Sequence, residues 1–562
     1  MNILGISCFY HDSAACLICD GILITAVQEE RFTRVKGDQS FPVNAVNYCL
    51  AKAGFTISDI DQVVFYEKPF LKFLRVVVEH LKSYPFSLRN FLSTMPSWLD
   101  DRLAFQYVCK NKINYSGSVL FLPHHLAHAS SAFFPSPFEE AAILTVDGVG
   151  EFATASFGYG NGCAVNILKG MNYPNSLGLI YTAITTYLGF SALTGEGKVM
   201  AMAGYGKPTY LDKIKRIVDV KKDGSFNLDS GYFIFNKGAA MYSRRFIKLF
   251  GVPRNRDAPI TERHFDIASS LQTFFQDVII KMANHVYEQV GIDKLALAGG
   301  VFLNCVVNTE ILEQTEFKEI YVHPAAGDSG GALGAAAYGS TFLEKKRCVC
   351  PQGRVDFGPE FTNNRIKSFL LKEKIDFKEF DNRTLVQFIA QKLSQSKIVG
   401  WFQGAMEWGP RALGNRSILA DPRNPMMKDI LNRQVKHREY FRPYGVSILK
   451  EDVSDFFDLP APSPFMLLVA RVKKQKAGFI PCALHVDGTS RIQTISYDDH
   501  GIFYDLIREF KSITGIPMVI NTSFNDENEP VVCSPQDAYG CFINTRMDYL
   551  VLGGFVIEKK PL

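Results

Sequence analysis

No apolar run in this chain approaches the roughly 18–20 residues that a bilayer-spanning helix needs, so no membrane partner is expected. The N-terminus lacks the basic flank of a signal peptide. His11 and Asp12 interrupt its apolar stretch, which reads as the first strand of a fold, and a cytoplasmic location is the expectation. A surplus of one charge is also missing. The formal net charge is +4, from 61 Lys and Arg against 57 Asp and Glu, too small for 562 residues to call for a nucleic-acid partner. Twelve cysteines are present, but not as a metal-binding array. Cys16 and Cys19 lie in the strand-like run AACLICDGILITAV, where alternation puts them on opposite faces, and they read as buried thiols. Cys348 and Cys350 sit in a polar linker without the second pair that structural zinc usually needs.

The composition that remains is that of a globular protein, with 47% apolar and 21% charged residues. The length calls for two or more domains. MNILGISCFYHDSAACLICDGILITAVQEERF reads as strand, loop, strand, a turn at Asp20-Gly21 and a third strand. AAILTVDGVGEFATASFGYG repeats the pattern of apolar strand, acidic turn and strand, which suggests a duplicated architecture. Helices are predicted over 43–54, 102–112 and 266–292. KLALAGGVFLNCVVNTEIL and IYVHPAAGDSGGALGAAAYGSTFL each read as a strand, a glycine turn and a helix. The polar stretch 341–362 marks a boundary, placed between 1–345 and 346–562. Beyond it a helix is expected over 384–396, with strands at IVGWF, 493–496, 517–521 and 549–558. The first half is α/β and the second α+β.

FLPHHLAHASSAFF sets His124 and His128 four apart, one helical turn, so both imidazoles face one way while His125 points elsewhere. Asp147 closes the apolar strand AAILTV, and Asp328 opens a glycine-rich turn after IYVHPAAG. Acids at the mouths of buried strands are placed for metal or phosphate work, although either alone is explained as turn chemistry. Two histidines and two carboxylates without a thiolate suit Fe(II), Mn(II) or Zn(II).

The turn Gly299-Gly300, with Asn304 after it, lies between a buried strand and a helix, where backbone N–H groups can hold an anion. GEGKVMAMAGYG (195–206), with Glu196 and Lys198, reads as a second flexible loop. Tight helix–strand packing explains either run equally well. Between Arg411 and Arg442 the basic residues are Arg411, Arg416, Arg423, Lys428, Arg433, Lys436, Arg438 and Arg442. Arginine forks bind phosphate or carboxylate; a surface ion-pair network is the plainer alternative. Arg491 in HVDGTSRIQT and Ser523 in INTSFN stand beside apolar strands and could complete a nucleotide pocket.

Taken in order, GISCFYHDSAA, EERFTRVKG, HHLAHASSA, TVDGVGE, GEGKVMAMAGYG, LAGGVFLNC, GDSGGALGAA, GPRALGNRSIL, DPR, VKHREYFRPYG, DGTSRIQTI and NTSFN resemble the NodU/CmcH-type O-carbamoyltransferases over nearly the whole chain. The resemblance implies a duplicated actin-like (ASKHA) domain over 1–345 and a YrdC-like domain over 346–562. It implies that carbamoyl phosphate and ATP, the latter with Mg2+, give carbamoyladenylate and pyrophosphate in the second domain. An acceptor hydroxyl, on a sugar or natural product, then takes the carbamoyl group in the first and releases AMP. On this resemblance His124, His128, Asp147 and Asp328 match metal ligands, usually of iron. Arg411, Lys436, Arg442, Arg491 and Ser523 match the adenylate-forming pocket, and His11 and Lys36 match residues near the transfer site. The chain departs from the family at Trp408, where a small residue is usual. The intermediate hydrolyses in water, so it is expected to pass internally between the domains. His11 is a candidate base for the acceptor hydroxyl, or positions it without proton transfer. A homodimer is left open. Three rivals use related parts. Transfer of threonylcarbamoyl to tRNA would call for a basic RNA-binding surface. A hydrogenase-maturation carbamoyltransferase would carry a zinc module that this chain has no cysteine pairs to build. A non-enzymatic actin-like nucleotide sensor would leave the basic pocket unexplained.

Overall fold

The computed structural model describes residues 1–85, 87–235, 240–351, 353–527 and 529–560. The chain divides into two compact units. One comprises Met1–Ile24 and Gln39–Gln352; the other comprises Thr25–Asp38 and Gly353–Leu562.

In the first unit, β1 (Asn2–Ser7) pairs antiparallel with β2 (Ala14–Cys19). Asp20 and Gly21 both take positive φ, 48° and 77°, the backbone of a tight hairpin turn for which Asp-Gly is well suited. The turn leads into β3 (Ile22–Gln28), of which Ile22–Ile24 belong to this unit. β4 (Gln62–Phe65) and β5 (Val119–Phe121) add in parallel on the other side of β1. The sheet order is β3-β2-β1-β4-β5.

A second sheet repeats the plan. β6 (Glu140–Val146) pairs antiparallel with β7 (Ala153–Asn161), and β7 with β8 (Ala164–Asn172). After a short ribbon of β9 (Val218–Val220) and β10 (Phe226–Leu228), β11 (Lys294–Ala298) joins β6 in parallel and β12 (Glu319–Val322) joins β11. The order β8-β7-β6-β11-β12 matches the first sheet strand for strand. This is the duplicated actin-like arrangement, and the central strands β1, β6 and β11 are buried along all but their first residue.

Two helices lock the sheets at the site. Asp328–Glu344, rich in Ala and Gly, packs against His124–Phe133. A Cβ at Gly334 would lie 1.9 Å from the carbonyl oxygen of Ala127, so glycine there sets how closely the helices approach. The expected loop over 195–206 is instead the helix Glu196–Ala203. Its Ala, Met, Lys and Glu are strong helix formers, and Val199 and Met202, three apart, are its buried residues. Two helices that the sequence reading did not place, Pro69–Lys82 and Leu88–Ser97, lie between β4 and β5.

The second unit is built on a ten-stranded sheet. Its strands are β13 (Lys378–Glu379), β14 (Val399–Phe402), β15 (Arg416–Ala420), β16 (Gly445–Leu449), β17 (Phe457–Asp458), β18 (Leu468–Val472), β19 (Thr489–Ile495), β20 (Met518–Ser523), β21 (Tyr549–Leu552) and β22 (Phe555–Glu558). Their order is β13-β22-β21-β14-β15-β20-β16-β19-β18-β17. The helices Asn382–Ser394 and Ile502–Thr514 pack together over the core around Trp401, Val446 and Ile492. The excursion Thr25–Asp38 is tied to this unit by arginines. Arg31 donates to Gly409 O at 2.9 Å, and Arg34 to Pro530 O and Val531 O at 2.8 and 2.7 Å. The sequence boundary at 345/346 took no account of this excursion.

Candidate functional site

The first helical turn of His124–Phe133 points His124 and His128 the same way, and their Nε2 atoms lie 3.0 Å apart. Asp147, the residue after β6, brings its Oδ2 to 3.2 Å from His124 Nε2 and 3.7 Å from His128 Nε2. Asp328 opens a helix rather than a turn, and its Oδ1 stands 3.6 and 3.5 Å from the same two nitrogens. One ligand atom from each residue lies within 4.8 Å of all the others, and all four residues are buried. The structure thus draws together residues from three separate parts of the sequence.

These residues fit a metal ion. Both Asp328 oxygens are buried without a hydrogen-bond partner, a costly state for a carboxylate unless a cation completes it. The oxygen and imidazole donors suit a divalent Fe, Mn or Zn ion rather than a sulfur-bound one. Around them, Gly300 N donates to Asp147 Oδ1 at 3.1 Å, and Glu151 accepts from His124 N at 3.0 Å. Glu67 Oε2 lies 4.0 Å from His124 Nδ1. The charges respond to one another. Burial drives Asp147 and Asp328 up, but the histidines around them outweigh it; Asp147 is held well below the usual carboxylate range and Asp328 at about 2. Burial lowers His128, but Asp147 and Asp328 lift it to about 9. His125 turns away, its Nδ1 2.7 Å from Thr145 Oγ1, and burial drives it down to about 3.

His11 reaches the same cluster. Its Nε2 is 3.6 Å from Asp328 Oδ2 and its Nδ1 is 2.9 Å from Asp12 Oδ2. Asp12, at φ 53° in the loop between β1 and β2, holds Nδ1 while Nε2 faces the cluster. Lys36 belongs to the second unit, where its Nζ donates to Glu527 O at 3.1 Å.

Gly299 has φ 101°, and a Cβ there would lie 2.0 Å from Val146 O. The Gly-Gly turn therefore sits tight against the end of β6. Asn304 caps the helix Cys305–Gln314, accepting from Val306 N and Val307 N, and its side-chain amide pairs with Gln272. That capping role was not anticipated from the sequence.

In the second unit the basic run separates into two kinds of residue. Arg416 is fully buried and spent on structure, donating to the carbonyls of Pro359, Gln403, Gly404 and Asn415 over the Phe402 ring. Lys436 is buried too, with Nζ on Ser523 O at 2.8 Å and on Asn525 O and Oδ1 at 2.6 Å. It anchors the NTSFN turn, where Ser523 Oγ donates to Asn525 Oδ1. Lys36, Arg438 and Arg442 crowd its charge. Burial first, then Arg438, pushes Arg442 down to about 10; Arg411 acts in the same direction, and Glu439 Oε2 lies 3.8 Å away. Arg491 stands on β19 opposite Gly445.

Comparison with known proteins covers both units. The carbamoyltransferase N-terminus model matches residues 2–337 and the carbamoyltransferase C-terminus model residues 390–559. An uncharacterized protein of Synechocystis sp. is 43% identical, over 99% of this chain and 97% of that protein. Nodulation protein NolNO of Sinorhizobium fredii is 36% identical, over 98% of this chain and 79% of its own. Nodulation protein NolO of Bradyrhizobium diazoefficiens is 37% identical, over 78% and 79%. With both parts of its length matched in this way, the chain belongs to the carbamoyltransferase family, enzymes that transfer a carbamoyl group.

Proposed function

We propose that this carbamoyltransferase activates its carbamoyl group with ATP in the C-terminal unit and transfers it to a hydroxyl of a small-molecule or sugar acceptor in the N-terminal unit. The observation that carries the reading is the separation of two charge clusters. The His124–His128–Asp147–Asp328 group lies in the first unit, and the crowded cations Lys36, Arg411, Lys436, Arg438 and Arg442 lie in the second.

The second unit is read as a YrdC-like domain over 346–562. Water takes the phosphoryl group of carbamoyl phosphate, leaving carbamate and inorganic phosphate; a carbamate oxygen then bonds to the α-phosphorus of ATP, the bond from that phosphorus to the bridging oxygen breaks, and pyrophosphate leaves with Mg2+. Arg411 and Arg442 neutralise the phosphates and hold them in line, while Lys436 fixes the turn that presents Ser523. Arg491 completes the pocket. In the first unit the acceptor oxygen bonds to the carbamoyl carbon, the bond to the adenylate oxygen breaks, and AMP leaves. A metal bound by the four residues, Fe(II) on the family resemblance, supplies a Lewis acid for a phosphate or carbonyl oxygen. The Gly299-Gly300 turn fixes Asp147 through the Gly300 N–H. Burial lowers His11, but Asp328 and Asp12 raise it to about 9 in the metal-free site; beside the acceptor it takes the hydroxyl proton or positions the hydroxyl while the departing AMP phosphate takes that proton.

The test is mass spectrometry of cell extract incubated with the purified enzyme, ATP and carbamoyl phosphate. A small molecule should gain the mass of CONH2 in place of H, only when both reagents are present. A product formed without ATP would rule out the adenylate route.

A further inference from the structure

Between β4 and β5, the start of the helix Pro69–Lys82 brings charge into the interior. Glu67, Lys72 and Arg75 are 2%, 3% and 8% exposed. Glu67 and Lys72 pair with each other, and Lys72 Nζ lies 4.8 Å from the centre of the Tyr10 ring. Arg75 follows Lys72 by three residues, on the same helical face. Its Nε has no hydrogen-bond partner and its guanidinium no ion-pair partner among the described residues. Its Cζ lies 5.3 Å from the centre of the Tyr173 ring. Glu67 and Glu79 act on Arg75 electrostatically but neither forms an ion pair with it, Glu67 being held by Lys72 and Glu79 by Lys82. A guanidinium keeps its proton, and burying it unpaired is costly, so a ligand that completes it is the economical explanation.

The surroundings narrow that ligand. Tyr10 stands within electrostatic reach of Arg75 and also of Asp147 and Asp328, and His11, the next residue, contacts Asp328 directly. We infer that Arg75, with Tyr10 and Tyr173 beside it, binds an oxyanion of a reactant next to the His124–His128–Asp147–Asp328 cluster. Its planar fork takes two oxygens of a phosphate, carboxylate or sulfate, and the tyrosine rings offer flat faces to the group that carries them. Two sources share this chemistry: the phosphate of the adenylate donor and an acidic group on the acceptor. The inference rests on the proposed transfer reaction only in naming these reactants; the binding itself needs no turnover.

The test is calorimetric titration of the metal-loaded enzyme and its Arg75→Gln and Arg75→Lys variants with AMP, glucuronate and glucose. An Arg442→Ala background removes AMP binding in the second unit. Arg75→Gln should weaken AMP or glucuronate about tenfold or more and leave glucose unaffected. Arg75→Lys should recover only part, because it keeps the charge but not the fork. A loss confined to AMP assigns the donor phosphate; a loss confined to glucuronate assigns an acidic acceptor. The melting temperature should hold or rise in Arg75→Gln, since a buried unpaired charge is gone. Unchanged affinity for both anions would overturn the inference, as would a melting temperature lowered in both variants, which would make Arg75 a structural residue. Failure of carbamoyl transfer alone would leave these titrations as they are.

Discussion

His128 carries a proton near neutral pH in the metal-free site, because Asp147 and Asp328 outweigh its burial and lift it to about 9 from an ordinary 6.5. A metal ion has to displace that proton. Its affinity should therefore climb about tenfold per pH unit and level off near pH 9, measured by competition with a chelator. A flat profile between pH 7 and 8.5 would count against His128 as a ligand. The same raised value sets the sign for stability. His128 stabilises the metal-free fold fully below about 6.5 and loses that contribution as pH rises through about 9. In the second unit, Lys436→Ala should stop pyrophosphate formation and also cost roughly 2–3 kcal/mol, because buried oxygens of Ser523 and Asn525 lose their donor. Thermal denaturation reads the second effect. Single residues were unevenly legible. The His124/His128 spacing is a local fact that a helix converts directly into geometry. The fate of Arg416 depends on carbonyls of Pro359 and Gln403, contributed by other loops, and nothing in GPRALGNRSIL separates it from Arg411.

At the scale of elements, the approach of Asp328–Glu344 to His124–Phe133 decides whether Asp328 meets the histidines. Gly334→Ala would place a methyl 1.9 Å from Ala127 O and force the helices apart. The expected cost is about 1–3 kcal/mol, with a loss of bound metal measurable by elemental analysis. Gly197→Ala, where nothing lies within 4 Å of the added carbon, is the matching control and should keep its metal. An unchanged metal content in Gly334→Ala would mean the helices can give way without disturbing the site. About half of the strands were legible, those written as clear apolar runs, and Asp20-Gly21 announced its own turn; β15, inside the basic stretch, and β16, just after it, were not read although both are buried along their whole length. The helix Pro69–Lys82 was not. Its Phe70, Leu71 and Leu74 are exposed while Lys72 and Arg75 are buried, the reverse of the pattern that reveals an amphipathic helix. Glu196–Ala203 was hidden for another reason, since its flanking glycines suggested a loop.

For the molecule as a whole, the duplicated sheet order of the first unit and the ten-stranded sheet of the second give each its own core and its own charged site. The early excursion Thr25–Asp38 was invisible as a domain feature because pairing across some 330 residues of sequence, as from Thr25 to Phe357, leaves no local mark. Two sites in two units should fail separately. The most direct measurement is carbamoyl-phosphate-dependent release of pyrophosphate from ATP by the wild type, His128→Ala and Arg442→Ala, with bound metal determined on the same samples. Arg442→Ala should keep its metal and release no pyrophosphate, while His128→Ala should lose the metal and still release it. Abolition of pyrophosphate release in His128→Ala would contradict the division of labour proposed for the two units.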